Sequence, residues 1–110
     1  MLYNQTIGLL IPTLNEEEGL RKVLEIIPSY IDRVLIIDGN STDKTSHVAR
    51  EFGADVVIEP RPGYGRAIRT GFNHVKEDWI VTLDADGTYP TSEIEFLMAY
   101  AIKNSISLVG

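Results

Sequence analysis

Trp79-Ile80-Val81-Thr82-Leu83 runs directly into Asp84-Ala85-Asp86, and that junction decides how the rest of the chain is read. The apolar run is short, rich in residues that suit a pleated surface, and apolar at nearly every position. That is the mark of a strand buried on both faces, as in a parallel sheet. Two carboxylates one residue apart at its end are hard oxygen donors of the kind Mg²⁺ or Mn²⁺ takes together with phosphate oxygens and water. In open α/β sheets ligands bind beyond the carboxyl ends of the strands. Asp-x-Asp is also a common turn, each carboxylate bonding a nearby backbone N–H. The pair therefore acquires meaning only from its surroundings.

Working outward, Ile7-Gly8-Leu9-Leu10-Ile11, Val34-Leu35-Ile36-Ile37 and Val56-Val57-Ile58 are three more apolar runs, the first and third closed by Pro12 and Pro60. Between them Leu20, Val23, Leu24 and Ile27, then Thr45, Val48, Ala49 and Phe52, then Ala67, Ile68, Gly71, Phe72 and Val75 recur at helical spacing. Asn15 with Glu18 predicts the first helix start, Asp43 the second, and Gly53 is a natural residue just past a helix end. Ser92 with Glu95 predicts a fourth helix, carrying Ile94, Leu97, Met98, Ala101 and Ile102, before a fifth strand from Ser107-Leu108-Val109. Strand and helix alternate throughout. The expected class is α/β, a mostly parallel sheet with helices on both faces. The fifth strand stops at Gly110, which predicts the front half of a larger domain, with an open sheet edge that invites self-association.

A net charge of −6 over 110 residues, without a basic run, argues against nucleic acid as a partner. The absence of cysteine excludes disulfides and thiolate chemistry. His47 and His74 lack ligand spacing and read as surface residues. No apolar stretch approaches the length of a membrane span, and the N-terminus lacks a signal-peptide plan. The expected setting is cytoplasmic, at a membrane surface if the acceptor is a lipid.

Every polar cluster follows a strand, so all fall on one rim of the sheet. They are Pro12-Thr13-Leu14-Asn15-Glu16-Glu17-Glu18, Asp38-Gly39-Asn40-Ser41-Thr42-Asp43, Arg61-Pro62-Gly63-Tyr64-Gly65-Arg66 and Asp84-Ala85-Asp86-Gly87-Thr88-Tyr89-Pro90. The glycine segment is neither a dinucleotide fingerprint nor a P-loop. It follows the third strand, Ile68 stands where a third glycine is needed, and Gly-Lys-Ser/Thr is missing. What remains is a close-approach loop with Arg61, Arg66 and Arg69, whose guanidinium groups suit phosphate oxygens or else offset neighbouring acids on a solvated face. Glu17 and Glu18 suit the first turn of a helix without any ligand.

Taken together, Ile11-Pro12-Thr13-Leu14-Asn15-Glu16, Asp38 to Asp43, Gly63-Tyr64-Gly65-Arg66-Ala67 and Asp84-Ala85-Asp86 resemble the inverting glycosyltransferases of family 2. Those enzymes have the nucleotide-diphospho-sugar transferase (GT-A) fold, which is Rossmann-like. Within the family the wording from Asp84 to Pro90 and the Gly-Tyr-Gly segment look most like the dolichyl-phosphate mannose synthase and polyprenyl-phosphate glucosyltransferase group. The resemblance spans essentially the whole chain but only the nucleotide-binding half of the family's domain.

It implies a UDP- or GDP-sugar donor, Mg²⁺ or Mn²⁺, and hexose transfer, with a polyprenyl or dolichyl phosphate as a candidate acceptor. Pro12, Leu14 and Glu16 match positions lining the nucleoside pocket, with Ile37 and Asp38 beside the base. An aromatic often stands where Leu14 does, and Gly39 replaces a second Asp common there. Ala85 matches a backbone contact near the ribose, and Gly65 and Arg66 belong to the glycine segment of the donor site. Asp84 and Asp86 match the metal and sugar-diphosphate carboxylates, with Asp86 as the catalytic candidate; Thr88 stands where mannose synthases often carry Gln. The acceptor side lies beyond the fifth strand in the family, so the 110-residue chain is expected to bind donor and metal but to transfer poorly unaided. Two other readings stand beside this one. One is a non-catalytic nucleotide-binding or assembly module. The other, ranked last, is a sugar-phosphate nucleotidyltransferase, whose Gly- and Arg-containing first loop is replaced here by Pro-Thr-Leu-Asn-Glu.

Overall fold

The computed structural model describes Met1 and residues 4–83, 98–102 and 105–108. The elements are β1 (Ile7–Thr13), α1 (Glu17–Glu25), β2 (Arg33–Asp38), α2 (Thr45–Glu51), β3 (Asp55–Ile58), α3 (Tyr64–Phe72), β4 (Trp79–Thr82), β5 (Met98–Ile102) and β6 (Ser105–Leu108). They build one sheet in the order β3-β2-β1-β4-β5-β6. The first four strands are mutually parallel, and β5 and β6 are added antiparallel. This is the expected α/β architecture.

Alternation along the strands sorts the core into two layers. Ile7, Leu9, Ile11, Ile36 and Val81 pack under α1 and α2 against Leu20, Val23, Leu24, Val48 and Ala49. Leu10, Leu35, Ile37 and Ile80 face the other way and meet Ile68 of α3. Helices thus cover both faces, and the central runs Ile7–Ile11 and Leu35–Ile37 are buried at every position because neither of their faces meets water. Gly71 lets α3 lie close on β1: a Cβ there would stand 2.4 Å from Cδ1 of Leu10. Gly53 ends α2 with φ of +79°. Its N–H donates to Arg50 O and that of Ala54 to Ala49 O, both at 3.0 Å, closing a Schellman motif.

Two sequence expectations are corrected. The helical spacing that extends to Ala101 and Ile102 is not used as a helix: Met98–Ile102 is a strand, paired antiparallel with Trp79–Val81. Met98-Ala99-Tyr100-Ala101-Ile102 is apolar at every position, so either period fits. Pairing there covers the ladder groups that β4 would otherwise leave open. Ser92, Ile94, Glu95 and Leu97 lie outside the described residues. Asn15 does not cap α1 either; it adopts φ of 53° and turns to the neighbouring loop.

Candidate functional site

The carboxyl ends of β1, β2 and β3 share one rim, where Thr13 stands in register with Asp38 and Asp38 with Ile58. Leu83, buried just past β4, donates its N–H to Leu10 O at 3.2 Å, which brings the end of that run beside β1. Two regions of different chemistry occupy the rim.

On the α1/α2 face the polar side chains knit to one another. Asn15 Oδ1 accepts from the backbone N–H of Thr42 at 2.8 Å and of Asp43 at 3.4 Å. Glu17 Oε1 accepts from Lys44 N–H at 3.1 Å, and Asp43 Oδ2 accepts from Glu17 N–H at 3.3 Å. Each loop thereby caps the helix of the other, satisfying N–H groups that a helix start leaves unpaired. Asp43 Oδ1 accepts from Thr45 N–H at 2.9 Å and from the Thr45 hydroxyl. The hydroxyl bond foremost holds its carboxyl below the usual range. Asp38 is the hub, at 1% exposure. Its Oδ1 accepts from the hydroxyls of Thr13 (2.8 Å) and Ser41, and its Oδ2 from Ser41 N–H (2.9 Å) and the Ser46 hydroxyl (3.3 Å). Four donors fill the lone-pair positions a carboxylate offers.

On the α3 face lies a groove of about 300 Å³. Pro12, Leu14, Ile37 and Gly39 line one side; Glu59, Arg61, Tyr64 and Ala67 line the other. Leu14 and Tyr64 are 58% and 59% exposed, an unusual state for large apolar side chains. Glu59 is buried at 6% exposure, and its oxygens are also filled. Oε1 accepts from Arg61 Nη2 and the Thr70 hydroxyl, Oε2 from Arg61 Nε at 3.0 Å and Arg61 N–H at 3.3 Å. The Arg61 guanidinium foremost, then Thr70, holds its carboxyl down at about 2.

The sequence-derived candidates divide accordingly. Pro12, Leu14 and Ile37 are brought together in the groove. Asp38 is one residue out of phase with Ile37 and points to the opposite face, towards Ser46 of α2. Glu16 lines a more open acidic depression with Asn15, Glu17, Glu18, Gly19, Lys22 and Asp43. Gly65 and Arg66 are exposed in the first turn of α3, next to the groove wall. Arg66 and Arg69 make no ion pair among the described residues, whereas Arg61 is paired with Glu59. Asp84, Ala85 and Asp86, with Thr88, lie outside the described residues. Glu59 was missed because it sits between Ile58 and Pro60 and reads as a strand end. The available signal was its position after β3, on the same rim as the other polar clusters.

The sequence profile described as glycosyl transferase family 2 matches residues 9–110. An uncharacterized glycosyltransferase of Mycobacterium tuberculosis is 40% identical over 104 residues, covering 94% of this chain and 47% of that protein. Glycosyltransferase AglJ of Haloferax volcanii is 38% identical over 90 residues, covering 77% of this chain and 29% of that protein. The chain thus spans less than half the length of these relatives. Among solved structures, glucosyl-3-phosphoglycerate synthase from Mycobacterium tuberculosis superposes with a TM-score of 0.74 at 28% identity. The match covers 86% of this chain and 38% of that one, in a complex with Mn²⁺, UDP and glucosyl-3-phosphoglycerate. The same enzyme with Mn²⁺, UDP-glucose and phosphoglyceric acid gives 0.74 at 29% identity, covering 86% and 38%.

Proposed function

Since the chain belongs to glycosyl transferase family 2, we propose that it forms the donor-binding part of a hexosyltransferase that takes a UDP-sugar. The observation that carries this reading is the groove at the carboxyl rim. It has an apolar floor of Pro12 and Ile37, exposed lips at Leu14 and Tyr64, and a single ion pair. Such a slot suits a planar base, with polar groups few and placed. UDP in the similar synthase supports uracil over guanine.

Asp84 and Asp86 are the residues that would hold the metal. The chemistry of this donor set, two carboxylates directly behind a strand that ends at the ligand rim, fits Mg²⁺ or Mn²⁺. When bound, the metal supplies Lewis-acid stabilisation of the diphosphate charge that develops as the sugar leaves. Asp86 is the catalytic candidate by its position in that pair, and Ala85 between them is the candidate for the ribose contact. Gly65 leaves room for phosphate oxygens to approach the start of α3: nothing lies within 4 Å of where its Cβ would stand. Arg66 and Arg69 add positive charge beside it. Asp38 serves the pocket from behind by fixing the Ser41 loop and Thr13, and Glu16 borders it over the start of α1. Polyprenyl or dolichyl phosphate is the acceptor class proposed for the whole protein, which would bring it to a membrane surface. Among the described residues no helix is long and apolar enough to cross a membrane.

Calorimetric titration with UDP, GDP and their hexose conjugates tests the reading. UDP binding that requires Mn²⁺, disappears with chelator and is lost in Asp86→Ala is the expected result. Metal-independent binding, or none, would sink it. Binding without turnover by the whole protein would favour the module reading instead.

A further inference from the structure

We propose that Asn15 is the positioning residue that keeps the donor groove open. Its side-chain amide fastens the β1–α1 loop to the β2–α2 loop, and this holds Leu14 out as a lip instead of letting it fold across the groove floor. The inference rests on the donor-site reading above and deepens it by naming what shapes the slot.

The ladder stops short of the lip. Thr13 is the last residue of β1, in register with Asp38, and its carbonyl accepts the Gly39 N–H at 2.9 Å. Leu14 comes next, outside the sheet and 58% exposed, and Gly39 beside it offers no side chain to lean on. Pro12 and Ile37 supply an apolar floor within the same groove. Apolar surface gains by leaving water. An unrestrained Leu14 would therefore settle on that floor and close the slot.

Asn15 supplies the restraint. It adopts φ of 53°, a left-handed conformation that asparagine tolerates better than most residues. The chain divides there: Leu14 lines the groove, whereas Asn15 and Glu16 line the acidic depression. Three hydrogen bonds converge on Asn15 Oδ1, from Thr42 N–H at 2.8 Å, the Thr42 hydroxyl at 3.2 Å and Asp43 N–H at 3.4 Å. Its own N–H donates to Ser41 Oγ at 2.9 Å. The loops after two neighbouring strands are thus tied at the residue adjoining the lip. The next tie, from Lys44 N–H to Glu17 Oε1 at 3.1 Å, belongs to the start of α1 and lies too far along the chain to hold Leu14. Since Asn15 does not line the groove itself, its influence on a bound nucleotide passes through Leu14.

The test is titration of the chain, Asn15→Gly, Asn15→Asp, Leu14→Ser and the double variant Asn15→Gly/Leu14→Ser with UDP in the presence of Mn²⁺ and with Mn²⁺-pyrophosphate. Thermal melts monitored by circular dichroism confirm folding, and because Asn15 is exposed its removal leaves the core intact. Glycine accepts the positive φ and keeps the backbone bond to Ser41, so Asn15→Gly removes the amide alone. It is expected to weaken UDP about fivefold, the scale of partial burial of one leucine, and to leave Mn²⁺-pyrophosphate unchanged. Asn15→Asp keeps an acceptor in the place of Oδ1 and should recover most of the loss. With Leu14→Ser no apolar side chain is left to fall across the floor, so adding Asn15→Gly should cost no further UDP affinity. A purely structural Asn15 would weaken UDP by the same factor in both backgrounds, and that result would overturn the inference. So would equal losses for UDP and Mn²⁺-pyrophosphate, no rescue by Asn15→Asp, or no loss in Asn15→Gly. If the unsubstituted chain binds no UDP, the donor-site reading fails and takes this inference with it.

Discussion

The two halves of the rim make opposite use of polarity. On the α1/α2 face Asn15, Asp38 and Asp43 form a dense polar network, and it is saturated: Asp38 alone accepts four hydrogen bonds. On the α3 face the groove is mostly apolar, with one ion pair and two exposed apolar lips. The region richest in ligand-like residues is occupied with holding loops together, and the plainer one is open. A carboxylate near a ligand rim is thus a weak guide to binding until its lone pairs are counted. Four donors fill the lone-pair positions of this buried carboxylate.

The strongest way to break this comparison is Asp38→Asn. The amide keeps the volume but turns an acceptor towards Ser41 N–H or the hydroxyls, leaving buried donors facing a donor. A loss of about 3 kcal/mol is expected, the combined scale of a charged hydrogen bond and an unsatisfied buried group, read as a lowered urea midpoint. UDP affinity of the folded variant should change little. Intact stability with lost nucleotide affinity would reverse the assignment of the two faces.

Gly71→Ala probes the groove face from beneath. A Cβ 2.4 Å from the fully buried Leu10 must push α3 off the sheet or force Leu10 into another rotamer. Overpacking of this kind costs about 1–3 kcal/mol. Because α3 carries Tyr64 and Ala67 into the groove, nucleotide affinity should fall with stability, unlike in Asp38→Asn.

Much of the fold was legible because its signals are redundant. Four apolar strands, three helical stripes, and a glycine at Gly53 that the structure places at positive φ all agree on one answer. The segment Met98–Ile102 was not legible, since an all-apolar run carries no period and the neighbouring strand edge decides its state. At the site, Pro12, Leu14 and Ile37 were readable as rim residues after their strands. Which face Asp38 points to was not, because strand phase near an element's end depends on pairing register rather than on local composition. Glu59 was hidden for a related reason. Its meaning comes from Arg61 and Thr70, the latter eleven positions away and on another element.

Acid titration sharpens the comparison at the ion pair. Glu59 has its folded pKa depressed from 4.5 to about 2. A depressed carboxyl stabilises the fold above its unfolded pKa, and that contribution disappears as pH falls through the folded value. The stability difference between the unsubstituted chain and Glu59→Gln should therefore be constant above about pH 4.5 and shrink steadily towards pH 2. A difference that persists unchanged to the acid end would mean that Glu59 is held by packing and not by its charge.

The smallest expected effect on stability comes from the lips, and it is the one that most cleanly separates the faces. Leu14 and Tyr64 are more than half exposed, so Leu14→Ser and Tyr64→Ala should each change stability by no more than about 0.5 kcal/mol. If they bracket a base, Tyr64→Ala should nonetheless lower UDP affinity by about fivefold or more, since aromatic stacking on a base contributes about 1–3 kcal/mol. Leu14→Tyr should tighten binding by adding a second ring. A Cβ added at Gly39 would stand 3.5 Å from Leu14 Cδ1, so the lack of a side chain there leaves room for a larger group at position 14. Exposed apolar surface is unfavourable in water, and a face that keeps it open while its neighbour fills all four positions of the Asp38 carboxylate is shaped for something that arrives later. Lips whose removal leaves both stability and affinity unchanged would mean that the groove is only a gap between a loop and a helix.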